Sequence, residues 1–202
     1  MIAILDYGIG NLKSIHNMFK KIGIDAVITS DIHEIQNADK YLLPGVGSFD
    51  YAIMRLKNAS FFDVLEKEVL EVKKPVLGIC LGMQLLTQRS EEGKEQGLGW
   101  IDAQTIRFDL DDKSLAIPHM GWNKVIPREE GKVLFKHLQE SRFYFVHSYH
   151  VVCNDEANIA ATTCYGDDFT CSVSKGNIYG VQFHPEKSHK FGMQLLKNFG
   201  EL

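Results

Sequence analysis

The sequence predicts an α/β fold with a mostly parallel central sheet, helices on both faces and an antiparallel extension. Three observations predict it. In the first half, short continuous apolar runs alternate with amphipathic stretches, the pattern of strands buried on both faces and joined by helices. In the second half, strand-like segments succeed one another through short, turn-rich connections, which suits antiparallel pairing. Finally, 202 residues with 45% hydrophobic and 24% charged side chains can bury roughly 70% of the surface of the unfolded chain, so no disulfide or structural metal is needed for stability.

Taken in order, Ile2 to Leu5 reads as a strand and the amphipathic Leu12 to Lys21 as a helix. Ala26 to Thr29 is a second strand, followed by a short helix near Ile32 to Gln36. Tyr41 to Leu43 is a third, with helices expected between Tyr51 and Val72. Pro75 to Ile79 is a fourth strand that turns directly into a helix at Leu81-Gly82-Met83-Gln84. Beyond it, strands are expected near Ala103 to Arg107, Asn123 to Ile126, Arg142 to Val146, Ile159 to Thr163 and Ile178 to Phe183. The amphipathic Phe191 to Phe199 should close the chain as a helix packed back on the sheet. No repeat, low-complexity tract or linker interrupts the sequence, so residues 1–202 are expected to form one domain.

Charge and composition exclude some functions. A net charge of −4 with interspersed signs offers no extended positive field for a phosphate backbone, so nucleic acid is not an expected partner. There is no apolar run of about 18 residues, and Met1 to Asp6 lacks the basic lead-in and cleavage site of a signal peptide. Cys80, Cys153, Cys164 and Cys171 are widely spaced with no CxxC pair, as expected for reduced thiols in the cytoplasm. A membrane is not an expected partner.

Two strand ends carry the chemistry. Cys80, between the Gly78-Ile79 strand end and a helix start, would sit at a strained elbow where backbone N–H groups favour a thiolate. The run Tyr179 to Phe183 delivers His184-Pro185-Glu186, an imidazole base with a carboxylate two residues on. A cysteine nucleophile needs such a base, a group to orient it, and donors for the oxyanion that forms on attack at a carbonyl. Cys80, His184 and Glu186 fill the first three roles. The Leu81 N–H and one from the Pro44-Gly45-Val46-Gly47 turn, at Val46 or Gly47, would be the oxyanion donors. Singly, a cysteine after a strand is usually core and a His-Pro-Glu usually a turn; it is their conjunction with an elbow and a glycine-rich loop that points to catalysis.

These residues resemble the class I (triad) glutamine amidotransferases. The segments that carry the resemblance are Asp6-Tyr7-Gly8-Ile9-Gly10-Asn11-Leu12, Pro44 to Gly47, Gly78-Ile79-Cys80-Leu81-Gly82-Met83-Gln84, Pro118-His119-Met120-Gly121-Trp122-Asn123, Phe145-Val146-His147-Ser148-Tyr149 and His184-Pro185-Glu186-Lys187-Ser188. They span essentially the whole chain. Asp-Tyr-Gly-x-Gly-Asn, Met83 and Lys187-Ser188 resemble the HisH-type glutaminase subunits within that family.

The resemblance implies a flavodoxin-like amidotransferase fold, L-glutamine as substrate, and a glutamyl thioester on Cys80 that releases ammonia and is then hydrolysed to glutamate. It implies a HisF-type (β/α)8 cyclase as heterodimer partner, which receives the ammonia through a tunnel and makes imidazole glycerol phosphate and an aminoimidazole carboxamide ribotide for L-histidine biosynthesis. No metal or organic cofactor is implied. Glutamine contacts would fall on Gly47, Gln84 and Glu92 with backbone of Ser148 and Tyr149; an ammonium needs an acceptor such as Glu92, although alone that residue would read as a solvated carboxylate. Asn11, Trp122, Tyr144 and Lys187 match the face that meets the barrel. Without the resemblance they read as a helix N-cap, two core aromatics and a surface charge.

Other features lead elsewhere. Gly8-Ile9-Gly10 lacks the third glycine of a dinucleotide loop, where Lys13 stands. His147 and His150, three apart, would point to opposite faces of one strand, with Cys153 too far along for a compact metal site. Asp109-Leu110-Asp111-Asp112 with Lys113 reads as a solvated loop. Two rival functions compete with the histidine-pathway reading. One is a HisH-like glutaminase feeding ammonia to an enzyme that aminates or amidinates a surface-polysaccharide sugar, which Gly99-Trp100-Ile101-Asp102 and His189-Lys190-Phe191-Gly192 resemble. The other is a non-catalytic or peroxide-sensing thiol protein on the same fold, which would need an acidic thiol but no base aligned for acyl transfer.

Overall fold

In the computed structural model, which describes residues 1–112, 114–139 and 141–202, the apolar runs become the strands of one large sheet. The first half runs β1 (Ile2–Leu5), α1 (Leu12–Lys21), β2 (Ala26–Thr29), α2 (Ile32–Asn37), β3 (Lys40–Gly45), α3 (Phe49–Lys57), α4 (Phe62–Leu70), β4 (Val76–Cys80) and α5 (Leu81–Leu85). The second half adds β5 (Ala103–Arg107), β6 (His119–Lys124), β7 (Ile126–Pro127), β8 (Arg142–His147), β9 (Tyr149–Cys153), β10 (Ile159–Tyr165), β11 (Asp167–Lys175), β12 (Ile178–Val181) and α6 (His189–Gly200).

The strand order is β2-β1-β3-β4-β12-β11-β10-β7, parallel from β2 to β12 and antiparallel beyond. The expected parallel sheet with an antiparallel extension is therefore the observed architecture. All residues of β1 and β4 are buried, because alternate side chains feed two cores. Ala3, Leu5, Val76 and Leu81 face one with α3 and α4, while Ile2, Ile4, Leu77 and Ile79 face the other with α1, α6 and the phenylalanines 143, 145 and 183. Parallel pairing of β12 with β4, Val181 opposite Ile79, brings the end of β12 alongside Cys80. The Gly45 end of β3 pairs with Cys80 from the other side. Three strand C-termini thus converge on one rim, where such sheets bind ligands.

The sequence pattern is incomplete in the antiparallel half. Two strands, β9 and β11, are not among those expected. In β11 Phe169, Cys171 and Val173 alternate with Thr170, Ser172 and Ser174, a period-two pattern that fits a strand, but Thr170 and Ser172 are buried as well, so neither face there is a wet one. The Ser172 hydroxyl is satisfied by the Gly180 carbonyl at 2.8 Å. The segment expected from Asn123 to Ile126 is two strands, and β6 pairs with β8 as a separate two-stranded ribbon rather than joining the main sheet.

The chain also breaks after His147, with Ser148 between β8 and β9. This corrects the expectation for His147 and His150: both rings contact Phe108, at 5.2 and 4.7 Å, and Phe169, at 5.3 and 5.6 Å. A corner inside the run resets the alternation, and the two imidazoles share one aromatic cluster. Among the described residues no three His, Cys, Asp or Glu side chains form a group that could hold a metal. Asp109, Asp111 and Asp112 are exposed; Lys113 lies outside the described residues.

Close backbone approach sets the position of α5. A Cβ at Gly82 would lie 1.9 Å from the Leu43 carbonyl oxygen, and one at Gly78 2.6 Å from the Gly82 carbonyl oxygen. Neither neighbour is a flexible side chain that could turn aside. Gly82→Ala should therefore lose at least about 2 kcal/mol of stability, read as a lower urea midpoint at unchanged slope; an unchanged midpoint would mean that α5 does not rest on β3 in this way.

Candidate active site

Cys80 ends β4 with φ of 54° and ψ of −113°, a left-handed conformation that side-chain-bearing residues seldom adopt and that marks a strained elbow. The turn aims the thiol out of the sheet and starts α5 at Leu81, so the elbow anticipated from the sequence is present. The helix beyond it is short, with only five residues, Leu81–Leu85.

His184 approaches from β12. Its backbone N–H donates to the Tyr144 carbonyl at 2.9 Å, and its ring Nδ1 lies 2.8 Å from Glu186 Oε1. Both side chains are almost wholly buried, 4% and 2% exposed. Since the carboxylate can only accept, Nδ1 carries a proton and Nε2 is left toward Cys80. Nε2 is buried and makes no hydrogen bond of good geometry. Burial disfavours charging of the ring, but the Cys80 sulfur as thiolate and the Glu186 carboxylate outweigh it and push its pKa up to about 9. A poised imidazolium beside a thiol is the arrangement of an activated cysteine nucleophile.

The serine of the Lys187-Ser188 pair fixes this loop. Ser188 is fully buried; its Oγ donates to the His184 carbonyl at 2.6 Å and accepts the Tyr144 N–H at 3.0 Å. It ties the His184 turn to β8, which explains why a small hydroxyl comes directly after Lys187.

The thiol faces a cavity of about 240 Å³ lined by Val46, Gly47, Cys80, Leu81, Gln84, Glu92, Ser148, Tyr149 and His184. Every residue expected to donate to an oxyanion or contact glutamine therefore borders one cavity with the thiol. Gly47 has φ of 99° and open space where a Cβ would sit, so the turn after β3 can change its peptide orientation without a side-chain clash. Glu92 is exposed and accepts the Phe49 N–H at 2.9 Å, so one carboxylate oxygen caps the start of α3, where Ser48 makes no side-chain cap. Gln84 is buried, its Nε2 donating to the Tyr149 carbonyl at 3.3 Å and to Gln182 Oε1 at 2.9 Å.

Two further functional candidates stand outside the triad and the expected glutamine contacts. Gln182 is fully buried with its Nε2 3.7 Å from Cys80 Sγ. His147, which also borders the cavity, is held neutral: burial and the neighbouring imidazoles push its pKa down to about 3, against a hydrogen bond to Tyr149 that opposes the shift.

Of the expected docking residues, Asn11 stands at the start of α1 but its side chain makes no cap, and it is exposed. Trp122 is 46% exposed, not a core aromatic. Its ring stacks on His189 at 5.6 Å and meets Tyr144 edge-on at 6.3 Å, while Lys187 Nζ lies 5.5 Å from the Tyr144 ring centroid. Lys187 also borders the cavity, so this surface cluster runs to the mouth of the site.

The family model for class-I glutamine amidotransferases matches residues 3–201. The chain belongs to that family. Curated amidotransferase relatives cover it end to end. It is 57% identical to imidazole glycerol phosphate synthase subunit HisH 2 of Methanococcus maripaludis, over 98% of each chain, and 50% identical to the HisH 2 subunit of Pseudomonas aeruginosa, over 100% of each. The HisH subunit of Leptospira borgpetersenii is 45% identical, also over 100% of each. Among solved structures, a glutamine amidotransferase superposes with a TM-score of 0.77 at 19% identity, over 99% of this chain and 97% of that one. A glutamine amidotransferase of Thermotoga maritima gives 0.61 at 18% identity, over 99% and 82%. At such identities the structures establish the amidotransferase fold alone.

The His184 pKa has a definite sign. Raised above its ordinary value to about 9, the ring stays protonated at neutral pH and loses its charge as pH rises through about 9. An NMR titration of the ring should give that midpoint, and Glu186→Gln should lower it by about one unit or more, since the carboxylate favours the charged form. An unchanged midpoint would remove Glu186 from its orienting role.

Proposed function

We propose that this chain is a glutaminase subunit: it hydrolyses L-glutamine to glutamate and ammonia through a thioester on Cys80, and passes the ammonia to a HisF-type (β/α)8 cyclase that makes imidazole glycerol phosphate and the aminoimidazole carboxamide ribotide of L-histidine biosynthesis. The observation that carries the reading is one cavity bordered by the thiol, by His184, whose ring the buried Glu186 holds from behind, and by the glycine-rich turn. Residues 1–202 act as one amidotransferase domain. Free thiols at all four cysteines fit a reducing cytoplasm, and no described helix is long and apolar enough to cross a membrane.

In this mechanism the Cys80 thiolate attacks the side-chain carboxamide carbon of glutamine. The oxygen of the tetrahedral intermediate accepts from the Leu81 N–H and from a turn N–H at Val46 or Gly47. His184 then gives its Nε2 proton to the departing nitrogen as the C–N bond breaks, leaving ammonia and the thioester. The neutral ring takes a proton from water, whose oxygen attacks the thioester; glutamate leaves and Cys80 is restored. Glu186 holds the imidazole in the required tautomer. Gln84 and Glu92 offer oxygen acceptors to the substrate ammonium, and backbone groups of Ser148 and Tyr149 border its other end.

Docking of the barrel falls on the face of Asn11, Trp122, Tyr144 and Lys187. Met120 and Val46, 61% and 45% exposed, add apolar area there, and an exposed tryptophan beside a lysine is a fitting interface anchor. A glutaminase that makes ammonia for a partner gains nothing by hydrolysing glutamine alone. The turn at Pro44 to Gly47 is accordingly read as a gate whose donor turns inward on a signal through this face.

A second reading has its own observation. Gly99-Trp100-Ile101-Asp102 and His189-Lys190-Phe191-Gly192 resemble the HisH-like glutaminases that serve a surface-polysaccharide sugar. The peroxide-sensing alternative leaves the buried Glu186 partner of His184 without a purpose.

The deciding experiment measures glutamate formation with and without each HisF-type barrel of the same organism, adding the cyclase's ribonucleotide ligand. Activation by orders of magnitude with the histidine-pathway barrel and that ligand supports the first reading; activation by a polysaccharide-associated barrel alone moves the chain to the second. Cys80→Ala should reduce turnover at least about a thousandfold, and wild-type turnover in that variant would overturn the triad. Trp122→Ala should raise the Kd for the barrel about tenfold or more with little change in the fold, measured by calorimetry; an unchanged Kd would move the interface elsewhere.

A further inference from the structure

We propose that Gln182 is a further catalytic residue, whose carboxamide N–H donates to the Cys80 sulfur and favours its thiolate. The inference rests on the reading of Cys80 as nucleophile. Gln182 comes directly after β12, whose pairing with β4 sets it beside Cys80; its own N–H is anchored on the Cys171 carbonyl at 2.9 Å. The side chain is fully buried, and its Nε2 lies 3.7 Å from Sγ.

The polarity of that contact is dictated by a chain of acceptors and donors. The Tyr149 carbonyl can only accept, so the Gln84 atom facing it at 3.3 Å is Nε2. The same nitrogen lies 2.9 Å from Gln182, so the Gln182 atom there is the oxygen. That leaves the Gln182 nitrogen, a donor, toward the sulfur. A flip of either carboxamide would set nitrogen against nitrogen or oxygen against oxygen in a buried site, which is costly.

The Tyr149 carbonyl is held in turn. His147 Nδ1 lies 2.7 Å from it and therefore carries the proton, and His147 Nε2 accepts from His119 Nδ1 at 3.0 Å. His119 Nε2 then faces Asn123 Nδ2 at 3.4 Å, which also donates to the Cys164 carbonyl at 2.7 Å. Both ends of this polar chain rest on main-chain carbonyls, so its direction is single.

A thiol gains little from an amide donor, whereas a thiolate gains a charge-assisted hydrogen bond. The Gln182 N–H therefore shifts the sulfur toward the form that attacks. It works together with the His184 imidazolium, two residues further along the same strand end, from a residue that carries no charge and does not titrate. His184, with Glu186 behind it, faces the sulfur directly; Glu92, Lys187 and neutral His147 border the same cavity. Gln182 carries no charge, so its replacement adds or removes none beside the sulfur.

The test is the pH dependence of Cys80 alkylation by iodoacetamide in the full chain, with the modified residue identified by peptide mapping. Gln182→Met keeps the length of the side chain and removes the donor. Its alkylation inflection should lie about one pH unit above the wild type, equivalent to about tenfold slower alkylation at a fixed pH below both inflections. Gln182→Leu should behave alike. Should neither fold by circular dichroism, Gln84→Met, which frees the Gln182 carboxamide from its orienting partner, should shift the inflection in the same direction. A wild-type inflection in the folded variants overturns the proposal. Glutamine hydrolysis by Cys80→Ala, run alongside, distinguishes failure of the nucleophile reading, because the alkylation inflection reports the contact to sulfur whatever the reaction.

Discussion

Cys80 is held in a left-handed backbone conformation because α5 begins immediately after β4 and must fold back against it and against β3. The fold can impose this only where backbones touch: Gly82 against the Leu43 carbonyl, Gly78 against the Gly82 carbonyl, and Gly45 against Gly82 N. Three residues without side chains thus supply the space, and the packed sheet supplies the rigidity that keeps a strained residue in place. A looser junction would let the elbow relax into an ordinary turn and withdraw the thiol from the rim.

Once the elbow is fixed, strand pairing determines the rest of the site. β3 and β12 flank β4 in parallel, so the residues just beyond each of them are delivered to the same rim as Cys80. The turn Pro44 to Gly47 comes from one side and Gln182, His184 and Glu186 from the other. Their electrostatics then agree: the buried Glu186 carboxylate and the Cys80 sulfur in its thiolate form both favour a charged imidazole. Ser188 adds the restraint that keeps the His184 turn against β8.

Much of this is legible in the sequence wherever a local pattern carries the information. The five parallel-sheet runs are continuous apolar segments, and Cys80 and His184 each lie at the end of one. The antiparallel half is less regular: β11 alternates Phe169, Cys171 and Val173 with Thr170 and Ser172 yet buries both sets, and a corner at Ser148 divides a run that would otherwise be one strand. The roles of Gln182 and of Ser188, the latter marked only as part of the Lys187-Ser188 pair, stay hidden for a different reason. Their roles depend on partners 102 and 44 residues away, and no local spacing encodes such contacts. His147 and His119 likewise meet only because β6 pairs with β8; each by itself looks like an isolated histidine. Trp122 shows the reverse case, since composition suggests a core aromatic and only the folded surroundings reveal an exposed one.

The central claim is that Cys80 takes up the glutamyl group. Incubation with a glutamine-analogue electrophile and subsequent peptide mapping tests it most directly, because the adduct marks the atom that attacks. The account predicts one adduct per chain, on the peptide containing Cys80, suppressed by excess L-glutamine and absent in Cys80→Ala. An adduct on Cys153, Cys164 or Cys171, or labelling that glutamine does not suppress, would contradict it.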